Sequence, residues 1–251
     1  MKVAENLMRL IPTLRHDEYV TKARSILRDD VFRELYVLDD RDRLIGYLDI
    51  SDVLRVMDTK SNVTVGGFIR EAAQVAPTTP LKEVGLAILD ARTNSAAIVD
   101  EDGAVLGGVL FSELFPILIS RNAIPGRVED VMSREAVTST PENPVLKIYS
   151  LIVVSGFVAF PVVQKKETIG IVSRRDLLRA GSIRSSVKNQ AETTVERVMT
   201  TPVITVTPDD SIAAASRLMV EHDISILPVI DERRHLVGVI DRHDVLSSLP
   251  R

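Results

Sequence analysis

The sequence predicts a mixed protein of the α/β (α+β) class, in which four copies of one β-α-β-β-α repeat pair into two modules. Three observations support this prediction. Two short motifs recur four times at nearly constant spacing, every copy shows the same order of β-rich and helical segments, and one repeat of about 60 residues is too small to bury its own apolar faces. The chain has 251 residues, of which 45% are hydrophobic, as is usual for a globular protein.

The first motif, here called the entrance motif, ends in Val-Met in its clearest copies. The second, the exit motif, places a glycine six positions before an acidic residue. The separation between the last entrance residue and that glycine is 38 residues in three copies and 39 in the fourth, which predicts that the repeats cover nearly the whole chain. The entrance motifs are Ala4–Met8, Val65–Ile69, Val128–Met132 and Val195–Met199, and the exit pairs are Gly46/Asp52, Gly107/Glu113, Gly170/Asp176 and Gly238/Asp244.

The fourth copy shows the elements of one repeat in order. A β-rich run precedes a helix start with a hydroxyl N-cap, a proline and two carboxylates. Apolar residues at helical spacing then predict a buried helix face, which is followed by two strands joined by a polar turn and by a second helix. These segments are Val203–Val206, Thr207–Asp210, the face of Ile212, Ala215 and Met219, Leu227–Ile230, Asp231–His235, Leu236–Ile240 and the helix opening at Asp241–Asp244.

The apolar run Pro144–Val163 in the third copy has the length of a membrane span. A capped helix, a break and a strand account for it, because the equivalent stretch of the fourth copy holds charged side chains such as Arg217 and Glu221, which a bilayer core disfavours. We therefore expect no membrane span. The predicted cap is Thr140-Pro141, the buried face is Val145, Ile148 and Ile152, and the break is Ser155-Gly156.

Two linkers set the predicted boundaries. Arg121–Gly126, which contains Pro-Gly, separates a first module (residues 1–122) from a second (residues 123–251), and the polar stretch Ser182–Glu192 separates the repeats of the second module. The predicted repeats are approximately residues 2–60, 62–120, 126–181 and 193–249.

The repeat, its Val-x-x-Val-Met entrance, its Pro-Val strand and its Gly-x-x-(Ser/Asp)-x-x-Asp exit resemble the CBS domain, named after cystathionine β-synthase. The third and fourth copies are close matches, the first is a fair match and the second is the most divergent. The resemblance implies two Bateman modules in a disc-like molecule. This four-repeat arrangement is similar to that of the γ subunit of AMP-activated protein kinase and of stand-alone archaeal proteins with four CBS repeats.

The resemblance also implies an adenosyl ligand. In this family the last acidic residue of the exit motif bonds the ribose hydroxyls, and a Ser or Thr three residues earlier contacts phosphate or ribose. Ser173 and Asp176 keep this pair, with Arg174 and Arg175 between them as sources of positive charge. Each of these carboxylates also suits the start of a helix on electrostatic grounds alone, so both roles stay open.

The other exits depart from the family pattern. Asp49/Asp52 and Asp241/Asp244 have an aspartate in the serine place, which favours an uncharged adenosyl group or an empty site, and Leu110/Glu113 is degenerate. Kinase-type γ subunits bind phosphates through His and Arg just before the Pro-Val strand, and of these residue types this chain has only Arg33 there, in a weaker copy. AMP, adenosine and S-adenosylmethionine therefore stay open as ligands, and tight ATP binding is not expected. The positions concerned are Arg33/Glu34, Asn94/Ser95, Val158/Ala159 and Ser225/Ile226.

Composition and motifs argue against an enzyme. Cysteine is absent, the four histidines have no metal-site spacing, and no nucleotide-hydrolysis or nucleophile motif is present. We expect no metal and no obligatory cofactor. Because the first residues lack the apolar core of a signal peptide, the expected location is the cytoplasm. The first hypothesis is a regulatory, energy-sensing protein that binds an adenosyl ligand between paired repeats and signals occupancy to a partner protein.

A basic stretch supports an alternative hypothesis. Residues 174–188 carry a local charge of +4, although the whole chain has a net charge of −4. The stretch is either a solvated helix end and linker or a phosphate-contacting surface of a ribosome- or RNA-associated dormancy factor. The oligomeric state also stays open, since a homodimer and a single chain both satisfy the pairing. The basic residues outside the exit motif are Arg179, Arg184 and Lys188.

Overall fold

The computed structural model describes residues 2–27, 32–54, 56, 62–179 and 193–249. The side chains of Ile50, Leu54, Val153, Arg175, Leu178 and Arg179 lie outside this description. The chain forms two compact units, Met1–Asn122 and Ala123–Arg251, here called the first and the second unit. Each contains two of the predicted repeats, and the secondary structure is mixed α+β, as predicted.

The first unit holds two three-stranded sheets of the same topology. In each sheet the first strand pairs in parallel with the second, and the second pairs antiparallel with the third. The strands are β1 Thr13–Arg15, β2 Glu34–Leu38, β3 Leu44–Asp49, β4 Ala73–Val75, β5 Ser95–Val99 and β6 Val105–Leu110. The α-helices are α1 Val20–Ile26, α2 Ile50–Leu54, α3 Leu81–Ala91 and α4 Phe111–Arg121, and the entrance motifs form 3-10 turns at Ala4–Leu7 and Val65–Phe68.

The second unit has two antiparallel hairpins in place of the three-stranded sheets. Its strands are β7 Ala159–Gln164, β8 Glu167–Ser173, β9 Ile226–Ile230 and β10 Leu236–Asp241. Its α-helices are α5 Val128–Val131, α6 Val145–Ser155, α7 Arg174–Arg179, α8 Ile212–Glu221 and α9 Arg242–Ser247, with a 3-10 turn at Val195–Arg197.

A proline in the central strand limits pairing with the segment that would form the N-terminal strand of these sheets. In the first repeat, the N–H of Tyr36 donates to the carbonyl of Pro12 (3.1 Å) and extends the parallel pairing of β1 with β2. The same position of β9 holds Pro228, which has no N–H to donate. The run Val203–Val206 was predicted as β structure, and this prediction was wrong: only Val206 forms a bridge to β9.

The predicted helix starts are displaced by a few residues. Thr207–Asp210 forms a turn, in which the N–H of Thr207 donates to Oδ2 of Asp210 (2.6 Å), and α8 begins after Ser211, whose Oγ accepts the N–H of Ala214 (3.1 Å). Likewise, α6 begins at Val145 rather than beside Thr140. The predicted helix break is confirmed, because α6 ends at Ser155. The predicted buried faces are also confirmed: Ile212, Ala215, Met219, Val145, Ile148 and Ile152 are at most 3% exposed.

Each entrance motif packs onto the exit strand of the other repeat in its unit. A Cβ added to Gly238 would lie 2.7 Å from the Ser133 carbonyl oxygen and 3.2 Å from Sδ of Met132, so only glycine permits this approach. The two motifs recur together because they form one contact between paired repeats. The residue after each entrance motif bridges the residue after the exit glycine, in the pairs Arg9–Gly108, Arg70–Tyr47, Ser133–Val239 and Thr200–Ile171.

Candidate functional site

The exit motif of the third repeat joins the end of β8 to the start of α7. Oδ2 of Asp176 accepts the backbone N–H (2.7 Å) and the hydroxyl (2.6 Å) of Ser173, and Ser173 Oγ accepts the N–H of Asp176 (3.3 Å). This reciprocal arrangement is a capping box. It fixes the orientation of the Asp176 carboxylate, and it shows that the helix-start role of these two residues is real.

The second oxygen of Asp176 faces the other repeat. Oδ1 accepts a hydrogen bond from the hydroxyl of Thr200 at 3.2 Å. Thr200 is exposed, and Ser173 and Asp176 are half-buried, so the group is open to solvent. A carboxylate held in this way can accept charge-assisted hydrogen bonds from a ligand diol. The sequence motifs did not single out Thr200, although its position directly after the entrance motif is a signal that could have done so.

The equivalent group in the first unit is closed by an arginine. Asp49 takes the place of Ser173 as N-cap and accepts the N–H of Asp52 (3.2 Å). Arg70, the residue after the second entrance motif, contacts Asp49 Oδ2 at 2.6 Å and Asp52 Oδ2 through Nε (3.0 Å) and Nη2. Its guanidinium also lies 5.0 Å from the ring centroid of Tyr47. The structure therefore brings the predicted pair Asp49 and Asp52 together, and the guanidinium of Arg70 from the neighbouring repeat contacts both carboxylates.

The electrostatics of this group follow from burial. Burial and the charge of Asp49 raise the pKa of Asp52, although Arg70 and the Asp49 N–H oppose the shift. Burial opposes the charged form of Arg70 as well, but Asp49 and Asp52 outweigh it and raise the Arg70 pKa above its ordinary value. The three side chains thus form one mutually dependent set of charges.

The fourth exit has a reciprocal cap like that of the third, whereas the second exit is paired with an arginine. Asp241 caps α9 and accepts the N–H of Asp244 (2.9 Å), while Asp244 Oδ2 accepts the N–H of Asp241 (2.8 Å). In the divergent second repeat, Glu113 is paired with Arg9, whose Nε lies 3.0 and 3.1 Å from the two carboxylate oxygens. Both exits of the first unit therefore carry an arginine from the opposite repeat.

The first positions of the central strands also differ between the units. In the first unit, Glu34 accepts hydrogen bonds from the Asn94 N–H (2.6 Å) and the Ser95 hydroxyl (2.7 Å), and Tyr36 donates to Ser95 (2.9 Å). Burial raises the pKa of Glu34 to about 7. Residues at the positions where kinase-type γ subunits bind phosphate are here bonded to each other. The sequence did not predict this internal use of Glu34.

Among the arginines predicted to assist a phosphate, Arg174 is buried, with 7% exposure. Its counterpart in the fourth repeat, Arg242, donates to the carbonyls of Ile224 (3.2 Å) and Met219 (3.3 Å) near the end of α8. This comparison favours a helix-capping role at the position, and a phosphate contact of Arg174 stays a prediction. The other basic residues of the predicted surface lie outside the described structure: the side chains of Arg175 and Arg179, and all of Arg184 and Lys188.

A cavity of about 390 Å³ lies in the second unit, beside the start of β10. Such a volume is within the range of small-ligand sites. Three of its side chains are basic: Arg134, Lys166 and His235. Since β10 ends at Asp241, roughly 10 Å beyond Gly238 at the usual rise of a strand, the cavity and the fourth exit lie along one strand. The full lining is Arg134, Ala136, Thr138, Val163, Lys166, His235, Leu236 and Gly238.

Within the described residues, no three His, Asp or Glu side chains lie close enough together to hold a metal ion. In the same part of the chain, no helix is both long and apolar enough to cross a bilayer. The run Pro144–Val163 consists of the eleven-residue helix α6 followed by β7.

The chain belongs to the CBS domain family. The family's model matches residues 4–59, 128–183 and 195–251, which correspond to the first, third and fourth repeats. The second repeat, residues 62–120, is the divergent one in sequence. It nevertheless has the strand order of the first repeat, β4-β5-β6 after β1-β2-β3.

Proteins of similar sequence and fold occur in archaea. Protein MJ1404 of Methanocaldococcus jannaschii is 25% identical over 98% of this chain, which spans 61% of that protein. The crystal structure of MJ1225 from the same organism, a candidate archaeal homologue of γ-AMPK, matches with a TM-score of 0.77 at 20% identity and covers 98% of this chain and 99% of its own. An uncharacterised conserved protein from Pyrococcus horikoshii matches with a TM-score of 0.67 at 20% identity over the same shares. These structures share the fold, and the chain spans less than two thirds of MJ1404.

Proposed function

We propose that this protein is a non-catalytic regulator that binds an adenosyl ligand in its second unit, at Ser173 and Asp176. The ligand class is AMP, adenosine or S-adenosylmethionine, as the CBS family resemblance implies. The observation that carries the proposal is the geometry of Asp176, whose Oδ2 is fixed by the capping box while Oδ1 accepts the hydroxyl of Thr200 from the opposite repeat. A ribose diol can replace or join that hydroxyl.

The energetics support a diol in this place. A carboxylate that accepts two hydrogen bonds from a cis-diol gains charge-assisted contacts of roughly 1.5–3 kcal/mol each. The Asp241/Asp244 exit, with the cavity along β10, is a second place for the same ligand class in this unit.

Regulation would follow from where the ligand sits. Asp176 belongs to the third repeat and Thr200 to the fourth, so a ligand between them changes the contact between paired repeats. Such a change is the kind of differential interaction that a ligand needs to shift a conformational equilibrium. A partner protein would then recognise the altered conformation of the second unit.

The proposal is tested by titrating the full chain with AMP, ATP, adenosine and S-adenosylmethionine in a calorimeter. We expect one of these to bind below about 1 mM, and Asp176→Asn to weaken it at least tenfold, because the change removes the charge that strengthens both diol contacts; tenfold corresponds to about 1.4 kcal/mol. The matched control is Asp52→Asn, the same change at the arginine-paired exit, which should leave the affinity unchanged. If no probe binds, or if Asp176→Asn binds like the unmodified protein, the proposal is wrong.

A further inference from the structure

Four residues occupy one structural position in the repeats, directly after the entrance motif. Each bridges the exit strand of the opposite repeat: Arg9 and Arg70 in the first unit, Ser133 and Thr200 in the second. Three of the four side chains also contact the exit carboxylate of that repeat, namely Arg9 with Glu113, Arg70 with Asp52 and Thr200 with Asp176. The position therefore supplies whatever group faces an exit carboxylate from across the repeat boundary.

In the first unit that group donates hydrogen bonds to the exit carboxylate, as the hydroxyls of a ligand diol would. The guanidinium of Arg70 donates to Asp52 through two nitrogens and also contacts Asp49. Only 4% of the Asp52 side chain is exposed under this cover. A ribose could bind there only after the arginine had left. The adjacent carboxylates of Asp49 and Asp52 would then lose the positive charge that Arg70 supplies.

The third-repeat group and the first-repeat group differ at two positions by a charge-neutral exchange. Where the second unit has Ser173 and Thr200, the first has Asp49 and Arg70, and the extra negative and positive charges cancel. The two groups thus carry the same net charge, but the first satisfies its carboxylates internally. The pair Arg9–Glu113, in which Leu110 provides no second carboxylate, shows that an arginine at this position also pairs with a single acid.

We propose that Arg70 is a built-in occupant of the nucleoside site of the first unit, and that the residue after each entrance motif decides whether the opposite exit binds a ribose diol. Ligand binding is then confined to the second unit, where serine and threonine stand at this position. The inference rests on the proposed function for the identity of the ligand class. It adds the residue that selects between the sites.

The first experiment introduces the residue types of Ser173, Asp176 and Thr200 at the equivalent positions of the first unit. The double variant Asp49→Ser with Arg70→Thr gives the first unit the Ser, Asp and Thr set of the second at constant net charge. Calorimetric titration of the full chain with AMP and with S-adenosylmethionine should show one more site per chain than the unmodified protein. A folded double variant with unchanged stoichiometry overturns the inference, with folding checked by circular dichroism.

The reciprocal experiment gives the second unit the arginine that the first unit has at this position. Thr200→Arg places an arginine opposite Asp176 at an exposed position, so the fold should be retained, and we expect one site fewer per chain or at least a tenfold loss of affinity at that site. Thr201→Arg, the same change one residue later, is the control and should bind like the unmodified protein. Unchanged binding by Thr200→Arg contradicts the proposal even if the double variant fails to fold.

The two experiments also separate this inference from the proposed function. If the unmodified protein binds none of the four compounds titrated above, the proposed function fails, and the double variant alone decides the inference. One site gained in that variant supports the role of Arg70, whereas no site gained shows that the arginine is not what excludes the ligand.

Discussion

At the scale of single residues, the two units differ in how paired repeats meet at the start of their central strands. In the first unit this position holds Glu34 and Ser95, which are hydrogen-bonded to each other, and Tyr36 extends the chain of bonds. The corresponding residues of the second unit are the apolar Ala159 and Ile226. A buried carboxyl group therefore lies in the repeat contact of the first unit, and it makes that unit sensitive to pH.

Glu34 should make the stability of the protein fall as pH rises from about 4.5 to about 7. Burial raises its pKa to about 7 from an ordinary value of 4.5, so the folded state holds a proton that the unfolded chain has already lost. The free energy of unfolding therefore declines between about pH 4.5 and pH 7 and then levels off. Glu34→Gln, which resembles the protonated acid, should remove this decline and stabilise the protein at pH 8 by up to about 3 kcal/mol.

Urea unfolding at pH 5, 6, 7 and 8 measures this effect. The control is Glu83→Gln, which neutralises an exposed carboxylate of α3 and should preserve the pH profile of the unmodified protein. A Glu34→Gln profile parallel to that of the unmodified protein would show that the acid is ionised throughout the range.

At the scale of elements, the sequence predicted what depends on local pattern. The buried faces of α6 and α8, the hairpin strands and the break at Ser155-Gly156 follow from periodicity and breakers, and all were right. The length of the first strand in the second unit could not be read in this way, because it depends on whether the partner strand has an N–H to donate at Pro228. The displaced start of α8 likewise depends on Asp210 bonding back to Thr207.

The candidate site divides along the same line. The exit motif gave Ser173 and Asp176 because both lie within four residues of each other. The sequence motifs did not give their partners, since Thr200 and Arg70 come from the opposite repeat. The spacing of residues within one repeat carries no information on contacts between paired repeats. Only the fold shows that the entrance motif of one repeat packs on the exit strand of the other.

That docking should be intolerant of any side chain at the exit glycine. In Gly238→Ala the new Cβ would lie 2.7 Å from the Ser133 carbonyl oxygen, which cannot move without breaking its bond from the Val239 N–H (2.9 Å). We expect a loss of about 1–3 kcal/mol in the free energy of unfolding, measured by urea titration. Gly67→Ala is the matched control, because a Cβ there meets nothing within 4 Å and should change stability by at most about 0.5 kcal/mol. Equal stability of the two variants would contradict the account of the glycine.

At the scale of the whole molecule, the paired repeats are not independent. The first N–H of each entrance motif's turn donates to a carbonyl near the first helix of the opposite repeat, so neither repeat of a pair completes its own hydrogen bonding. The bonds are Ala4 to Thr79 (2.8 Å), Val65 to Glu18 (2.8 Å), Val128 to Asp210 (2.9 Å) and Val195 to Asn143 (2.9 Å). Each of these bonds lies within one compact unit. We therefore propose that the unit of folding is the pair, as in the Bateman modules that the family resemblance implies.

This proposal predicts which fragments fold. Residues 123–251, expressed alone, should unfold cooperatively and keep the adenosyl binding of the full chain, because both repeats that build the Asp176 group are present. Residues 193–251, a single repeat, should be unfolded, since they lack the carbonyl partners of their entrance motif and expose the apolar face of α8. Circular dichroism and urea titration of the two fragments measure this difference. A stably folded single repeat, or a 123–251 fragment that unfolds without a cooperative transition, would show that the boundaries of folding lie elsewhere.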